Sequence, residues 1–237
     1  MKKLSSVVLS NVLVTDVPIT KIKSFEHAAN VLKAYGTVFR NFDKTPCNVV
    51  QWPKVKDGYR KVEDGLSGGD NVTEGEFSLK WTHYGEHIAI NSGVKDGHYC
   101  FAWNSKQGAV VSSTSTLLNY STSDLNVRHA YCYEEINYHS CGSQLFQCLD
   151  SPVSLLLAKV EGRHVDDIQP SDFRVFILPS GVGVNIDPLI WHSPPIAVPN
   201  HPKVNMKTKQ AKVHSKIYYD PLQEHNTLLR IDFTKVK

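Results

Sequence analysis

No apolar run in this 237-residue chain approaches the roughly 18–20 residues of a membrane-spanning helix, so no membrane partner is expected. Charge of one sign is scarce as well. Lys and Arg number 26 against 23 Asp and Glu, and a formal charge of +3 is too small to argue for nucleic acid. Cysteines are few and odd in number: Cys47, Cys100, Cys132, Cys141 and Cys148, with no C-x-x-C pair among them. That argues against a disulfide framework and against a structural zinc knuckle. Reduced, buried thiols in a cytoplasmic protein are the simplest reading. There is no repeat of solenoid period and no H-x-H pair. Ser180-Gly-Val-Gly183 has too few glycines and no following helix for a phosphate loop, so it reads as a turn. Glu134 and Glu135 are adjacent in an extended segment, point to opposite faces, and form no acid/base pair.

What is present describes one globular domain over residues 1–237, with an apolar content of 41% and enough material for a core. Met1–Val14 imitates a signal peptide weakly, but Ser5, Ser6, Ser10 and Asn11 interrupt its apolar part. Residues 1–15 are expected to be an extension whose strand spans Val12 to Val17. Residues 53–75, rich in Gly, Asp and Lys, read as a long surface loop. Lys203, Lys207, Lys209, Lys212 and Lys216 form a spaced run, which reads as a solvated face.

One helix is expected over Ser24–Tyr35. Ser24 suits an N-cap, Ala28, Ala29, Val31 and Leu32 give an apolar face, and Gly36 is a natural stop. Elsewhere the pattern is short extended runs. Phe77–Trp81 alternates, and His87–Ile90, Tyr99–Trp103, Ala109–Ser113 and Arg128–Glu135 follow. Val153–Val160 is nearly continuous and apolar, and Phe173–Leu178, Pro195–Val198, Val213–Tyr219 and Leu228–Phe233 complete the set. Turn signals between strands this short point to an all-β barrel or sandwich, not to βαβ units.

Three stretches carry chemistry. In Asn137–Phe146, His139 and Gln144 lie either side of a Gly142 turn and converge only if that turn folds the segment back. Between Leu178 and Ile196, a Pro/Gly turn and an Asp187-Pro188 turn enclose a short alternating run, then present Trp191-His192 on a stiff backbone. In Lys212–Asp220, the strand period puts His214, Lys216 and Tyr218 on one face. Each alone is more simply a structural feature. Together, His139, Gln144, His192 and His214 are expected to line one cavity at a barrel mouth.

These stretches resemble the ureidoglycolate lyase family. His139-Ser-Cys-Gly-Ser-Gln-Leu-Phe146 resembles its H-x-x-x-x-Q-x-F motif, and Gly181–Pro194 its G-Q-G-V…W-H-x-P signature. Ala34-Tyr-Gly-Thr-Val-Phe39, Gln51-Trp-Pro53, Thr73-Glu-Gly-Glu-Phe77 and Val213-His-Ser-Lys216 resemble stretches of a longer branch. Departures are Val182 for the family Gln, Cys148 for a Pro, Ser193 after Trp-His, and Lys216 for an Arg.

The resemblance implies a cupin-like (RmlC-like) double-stranded β-helix or jelly-roll barrel with an N-terminal helix, commonly a homodimer. It implies a lyase that splits ureidoglycolate into glyoxylate and urea in allantoin and purine degradation. His139 and His192 would be catalytic, with Gln144, Trp191, His214 and Lys216 binding a small carboxylate substrate. No motif requires a cofactor; a divalent metal on His139, Gln144 and His192 is the alternative to metal-free acid–base chemistry. A non-catalytic cupin-like module for a small carboxylate or sugar is the competing expectation, and a protein-interaction domain is another.

Overall fold

The computed structural model describes residues 12–50, 58–60, 73–84, 88–95, 98–100, 116–120, 127–132, 136–199, 201, 203–211 and 215–236. Strands β1 (Leu13–Asp16) and β2 (Ile19–Lys21) precede helix α1 (Phe25–Val31). Ser24 caps this helix as its sequence requires, its Oγ accepting the His27 N–H at 3.1 Å. The helix ends at Leu32, short of Tyr35, once Ala28 and Leu32 are buried. Gly36, expected as its stop, opens β3 (Gly36–Phe39). A Cβ there would stand 2.1 Å from the Asn185 carbonyl oxygen, so glycine lets β3 close onto its neighbour.

The chain continues through β4 (Thr73–Tyr84), β5 (Ile88–Lys95), β6 (His98–Cys100), β7 (Thr116–Tyr120), β8 (Val127–Cys132) and β9 (Ile136–Tyr138). Next come β10 (Gln144–Cys148), β11 (Val153–Ala158), β12 (Phe173–Leu178), β13 (Gly183–Ile186), β14 (Trp191–His192) and β15 (Ile196–Ala197). The last elements are β16 (Lys203–Gln210), β17 (Ile217–Tyr219), helix α2 (Pro221–His225) and β18 (Thr227–Asp232). The protein is all-β. The larger sheet runs β1-β18-β8-β7-β5-β4-β16-β10-β13-β3, with β6 on β5, and the smaller runs β17-β9-β14-β11-β12-β2, with β15 on β11.

One hydrophobic core joins the two sheets. Phe77, Leu79, Phe146, Val184, Val204 and Met206 of the larger sheet pack with Leu155, Leu157, Phe173, Val175 and Trp191 of the smaller. Strand β11 is buried at every position, as its nearly continuous apolar sequence requires, and its one hydroxyl, Ser154, donates to the Ile196 carbonyl at 2.8 Å. The sheets are also stitched by polar groups. Trp81 Nε1 donates to the Ala197 carbonyl at 2.9 Å, and Asn91 bonds the backbone of Pro195 and Ala197. These two residues are buried, so their polar atoms need such partners.

Several expectations shift. Thr73–Gly75 belong to β4 and not to a surface loop; apart from residues 58–60, the rest of 53–72 lies outside the described residues. Ala109–Ser113 also lies outside them. Part of the lysine run is a strand: Lys203, Lys207 and Lys209 face outward on β16 while Val204, Met206 and Thr208 point into the core; Lys212 lies outside the described residues and Lys216 precedes β17. The outer face is solvated, and Lys207 Nζ reaches Glu76 at 3.0 Å. Among the described residues, Cys47, Cys132, Cys141 and Cys148 form no disulfide with one another. Among the described residues, no helix is long and apolar enough to cross a membrane.

Residues 58–60 are tied down from three sides. The Arg60 backbone N–H donates to Asp166 Oδ2 at 2.6 Å, and its guanidinium forks onto both Glu224 carboxylate oxygens at 2.5 Å. It also donates to the carbonyls of Asp166 and Tyr218, and lies 5.4 Å from the Trp191 ring centre. Gly58 passes so close that a Cβ would overlap the Asp166 carboxylate.

Candidate functional site

The Asp187-Pro188 corner forms as its residues demand. Gly181 takes a positive φ of 76° in the first turn, and Ile190 N–H returns to the Asp187 carbonyl at 3.4 Å in the second. Leu189 also has positive φ, 67°, a conformation that a branched residue adopts only under constraint. The constraint is visible: Leu189 N–H donates to the His139 carbonyl at 2.8 Å. The corner that presents His192 is thus bonded to the residue that carries the other imidazole.

From there the two sheets contribute opposite walls. His192 leaves β14 beside Asn137 of β9, and His139 lies one residue beyond β9. Gln144 opens β10, on the other sheet, so residues 139–143 carry the chain across. The turn folds back as convergence required. Gln144 Oε1 lies 3.0 Å from His139 Nε2 and 3.0 Å from His192 Nε2, and the two imidazole centres are 5.1 Å apart. Each Nδ1 faces a backbone carbonyl, Ser215 at 2.6 Å for His139 and Ile190 at 2.8 Å for His192. Phe146 closes one side with its ring 6.4 Å from that of His192.

Gln210 and Thr208, which sequence reasoning did not single out, belong to the same group. Gln210 is the direct cross-strand partner of Gln144, and its Nε2 lies 2.9 Å from His139 Nε2. The signal was the period of two in Met206-Lys-Thr-Lys-Gln210, which puts Thr208 and Gln210 on the face opposite the lysines. Thr208 Oγ1 lies 3.5 Å from Gln144 Nε2.

Burial dominates the electrostatics. His192, 3% exposed, is pushed down to about 3 by burial first, then by the neighbouring His139 and the Lys216 charge; its bond to Ile190 opposes this weakly. It is therefore neutral at physiological pH. Cys148, inside the adjoining core, is pushed up to about 12 by burial and stays a thiol donating to the Pro179 and Val182 carbonyls.

The remaining sequence candidates divide. Lys216 sits near enough for its charge to act on His192, and its Nζ meets Tyr218 Oη at 2.5 Å. Trp191 is not brought to the imidazoles. Adjacent strand residues point oppositely, and its ring is fully buried on the far side, donating to the Val165 carbonyl at 2.8 Å and packing edge-on to Tyr138. It holds the strand rather than touching a ligand at this group. His214 lies outside the described residues. Ser193 is buried, its Oγ donating to the Pro194 carbonyl.

No known family model and no curated protein matches this chain. Functional argument therefore rests on geometry. Both imidazoles set Nδ1 on a carbonyl and turn Nε2 toward the Gln144 carboxamide, a group without a carboxylate. Among the described residues, no group of three or more His, Cys, Asp or Glu could hold a metal.

Proposed function

We propose that the protein is a lyase acting on a small ureido acid, with ureidoglycolate, cleaved to glyoxylate and urea, as the substrate that its motif residues favour. The observation that carries this reading is the placement of His139 Nε2 and His192 Nε2 at 3.0 Å from one atom. That atom belongs to the Gln144 carboxamide, and a ligand atom that displaces it would meet both imidazoles, the geometry that proton transfer demands.

Ureidoglycolate bears a hydroxyl and a ureido nitrogen on the same carbon, next to a carboxylate. Cleavage removes the hydroxyl proton, forms the C=O bond, and expels the C–N electron pair onto nitrogen, which takes up a proton. His192 is neutral and so begins as the base, accepting the hydroxyl proton on Nε2. The resulting imidazolium returns that proton to the departing nitrogen, with His139 Nε2 accepting a hydrogen bond from the ligand beside it. Gln144 orients the ureido group. Lys216 offsets the carboxylate, whose own charge would in turn raise the proton affinity of His192.

Release of urea and glyoxylate from ureidoglycolate by the purified protein tests this directly. His192→Ala is expected to lower kcat by roughly 10²–10⁴; a variant that turns over at the parent rate removes the mechanism, and no turnover by the parent removes the substrate. The tight burial of both histidines, each 3% exposed, favours a second reading, a binding module without chemistry. Saturable binding of ureidoglycolate with no urea formed would establish it.

A further inference from the structure

The hydrogen positions within the histidine group follow from its geometry, and they say which edge of a ligand it takes. His139 Nδ1 and His192 Nδ1 lie 2.6 and 2.8 Å from carbonyl oxygens, which only accept. Each Nδ1 must therefore carry a hydrogen. A neutral imidazole with Nδ1–H has a bare Nε2, which accepts and cannot donate. Both bare Nε2 atoms face the same end of the Gln144 carboxamide at 3.0 Å. An oxygen there would meet two lone pairs and no hydrogen. The two ends of a carboxamide have the same shape, and half a turn about its last bond exchanges them without moving a heavy atom. With its NH₂ facing the rings, Gln144 gives one hydrogen to each Nε2. Its oxygen then faces Thr208 Oγ1, 3.5 Å away, which has a hydrogen to donate. Gln210 Nε2 lies 2.9 Å from His139 Nε2 and shares the one lone pair of that ring atom with the Gln144 NH₂, so it too faces that atom as a donor.

We propose that His139 and His192 both carry their hydrogen on Nδ1, making their Nε2 atoms a twin acceptor for the donor edge, O–H and N–H, of a hydroxy or ureido ligand. In the free protein the NH₂ groups of Gln144 and Gln210 stand in for that edge. A carboxylate, which has acceptors only, is repelled from this spot and is directed toward Lys216. The assignment of ligand class rests on the ureido-acid reading above; the hydrogen positions do not. It also gives Gln210 a role: a positioning residue that keeps the His139 Nε2 an acceptor.

The test uses the intact protein with ¹⁵N-labelled histidine. At neutral pH, long-range ¹H–¹⁵N spectra are expected to show unprotonated Nε2 and protonated Nδ1 for His139 and His192; a protonated Nε2 on either ring overturns the proposal. Gln210→Glu exchanges a donor for an acceptor, and is expected to move the His139 Nε2 resonance into the protonated range. An unchanged resonance overturns the role of Gln210. Gln210 is partly exposed at the end of β16, so the substitution leaves the core intact.

Calorimetric titration then compares ureidoacetate, which has a ureido group but no hydroxyl to deprotonate and so cannot be cleaved, with succinate. Ureidoacetate is expected to bind at least about tenfold more tightly, because an unmatched acceptor pair costs that much or more. Equal or tighter succinate binding overturns the ligand class. Selective ureidoacetate binding without urea release from ureidoglycolate supports the twin acceptor and removes only the lyase.

Discussion

Burial holds the His192 imidazole at about 3, whereas a histidine in an unfolded chain titrates near ~6.5. Between those values the unfolded chain binds a proton that the folded chain refuses. The stability contributed by this residue is complete above about pH 6.5 and falls as the pH drops toward 3. The slope is expected to approach about 1.4 kcal/mol per pH unit at its steepest. Urea denaturation between neutral and acid pH checks it, and His192→Gln is expected to flatten the dependence. An identical slope in parent and variant would show that His192 titrates normally. The sequence made this residue visible because Pro188 and Pro194 enclose it in a stiff corner, and Gly142 allows Gln144 to return beside it. Trp191 was legible as a partner in sequence but not in space, because the strand period turns its ring into the core. Gln210 was not legible: its side chain reaches His139 only after β16 and β10 pair.

At the scale of elements, the Arg60 tie joins residues 58–60, the 164–167 loop, β17 and α2. The Arg60 and Glu224 side chains are 14% and 32% exposed, so solvent screens their attraction only in part. Arg60→Met leaves Asp166 and Glu224 without their cation and is expected to cost about 1.5–3 kcal/mol. The midpoint of chemical unfolding measures this; a change below ~0.5 kcal/mol would mark the tie as decoration on a stable fold. Amide hydrogen exchange at Tyr218 and Tyr219 is expected to quicken in the same variant, since Arg60 holds the Tyr218 carbonyl. Composition alone reads 53–75 as a loop because Asp-Gly and Gly-Gly pairs dominate it. Arg60, which anchors residues 58–60, has partners 106 and 164 residues away, which no local pattern announces. By contrast, β12 was legible at both ends, Phe173 to Leu178, since an apolar run broken only by the exposed Arg174 admits few alternatives.

For the whole molecule, the decisive fact is that both sheets share one core. Leu79 and Met206 from one sheet and Leu155 and Val175 from the other belong to a single packed cluster. Neither sheet can lose its partner without exposing apolar surface, at roughly 25 cal/mol per Å². One cooperative calorimetric transition is expected, with tryptophan fluorescence and far-ultraviolet circular dichroism changing together. Two resolved transitions would mean two separately stable units. The alternation of short strands and turns disclosed the all-β class, since each apolar face must find another sheet. Strand order was not disclosed, because pairs such as β10 with β16 bring together residues about sixty apart.

The parallel pair β1–β18, in which Leu13 faces Thr227 and Asp16 faces Arg230, sets a timetable for synthesis. A ribosome releases the chain from its N-terminal side, so Leu13–Asp16 emerges more than two hundred residues before β18, its neighbour in the larger sheet among the described residues. For that interval, on the order of ten seconds or more at 5–20 residues per second, the strand waits with Leu13 and Val14 bare. Both remain exposed even in the finished fold, at 64% and 47%. The nascent protein therefore offers an unpaired strand edge to chaperones, or to another nascent copy, until its last strand arrives.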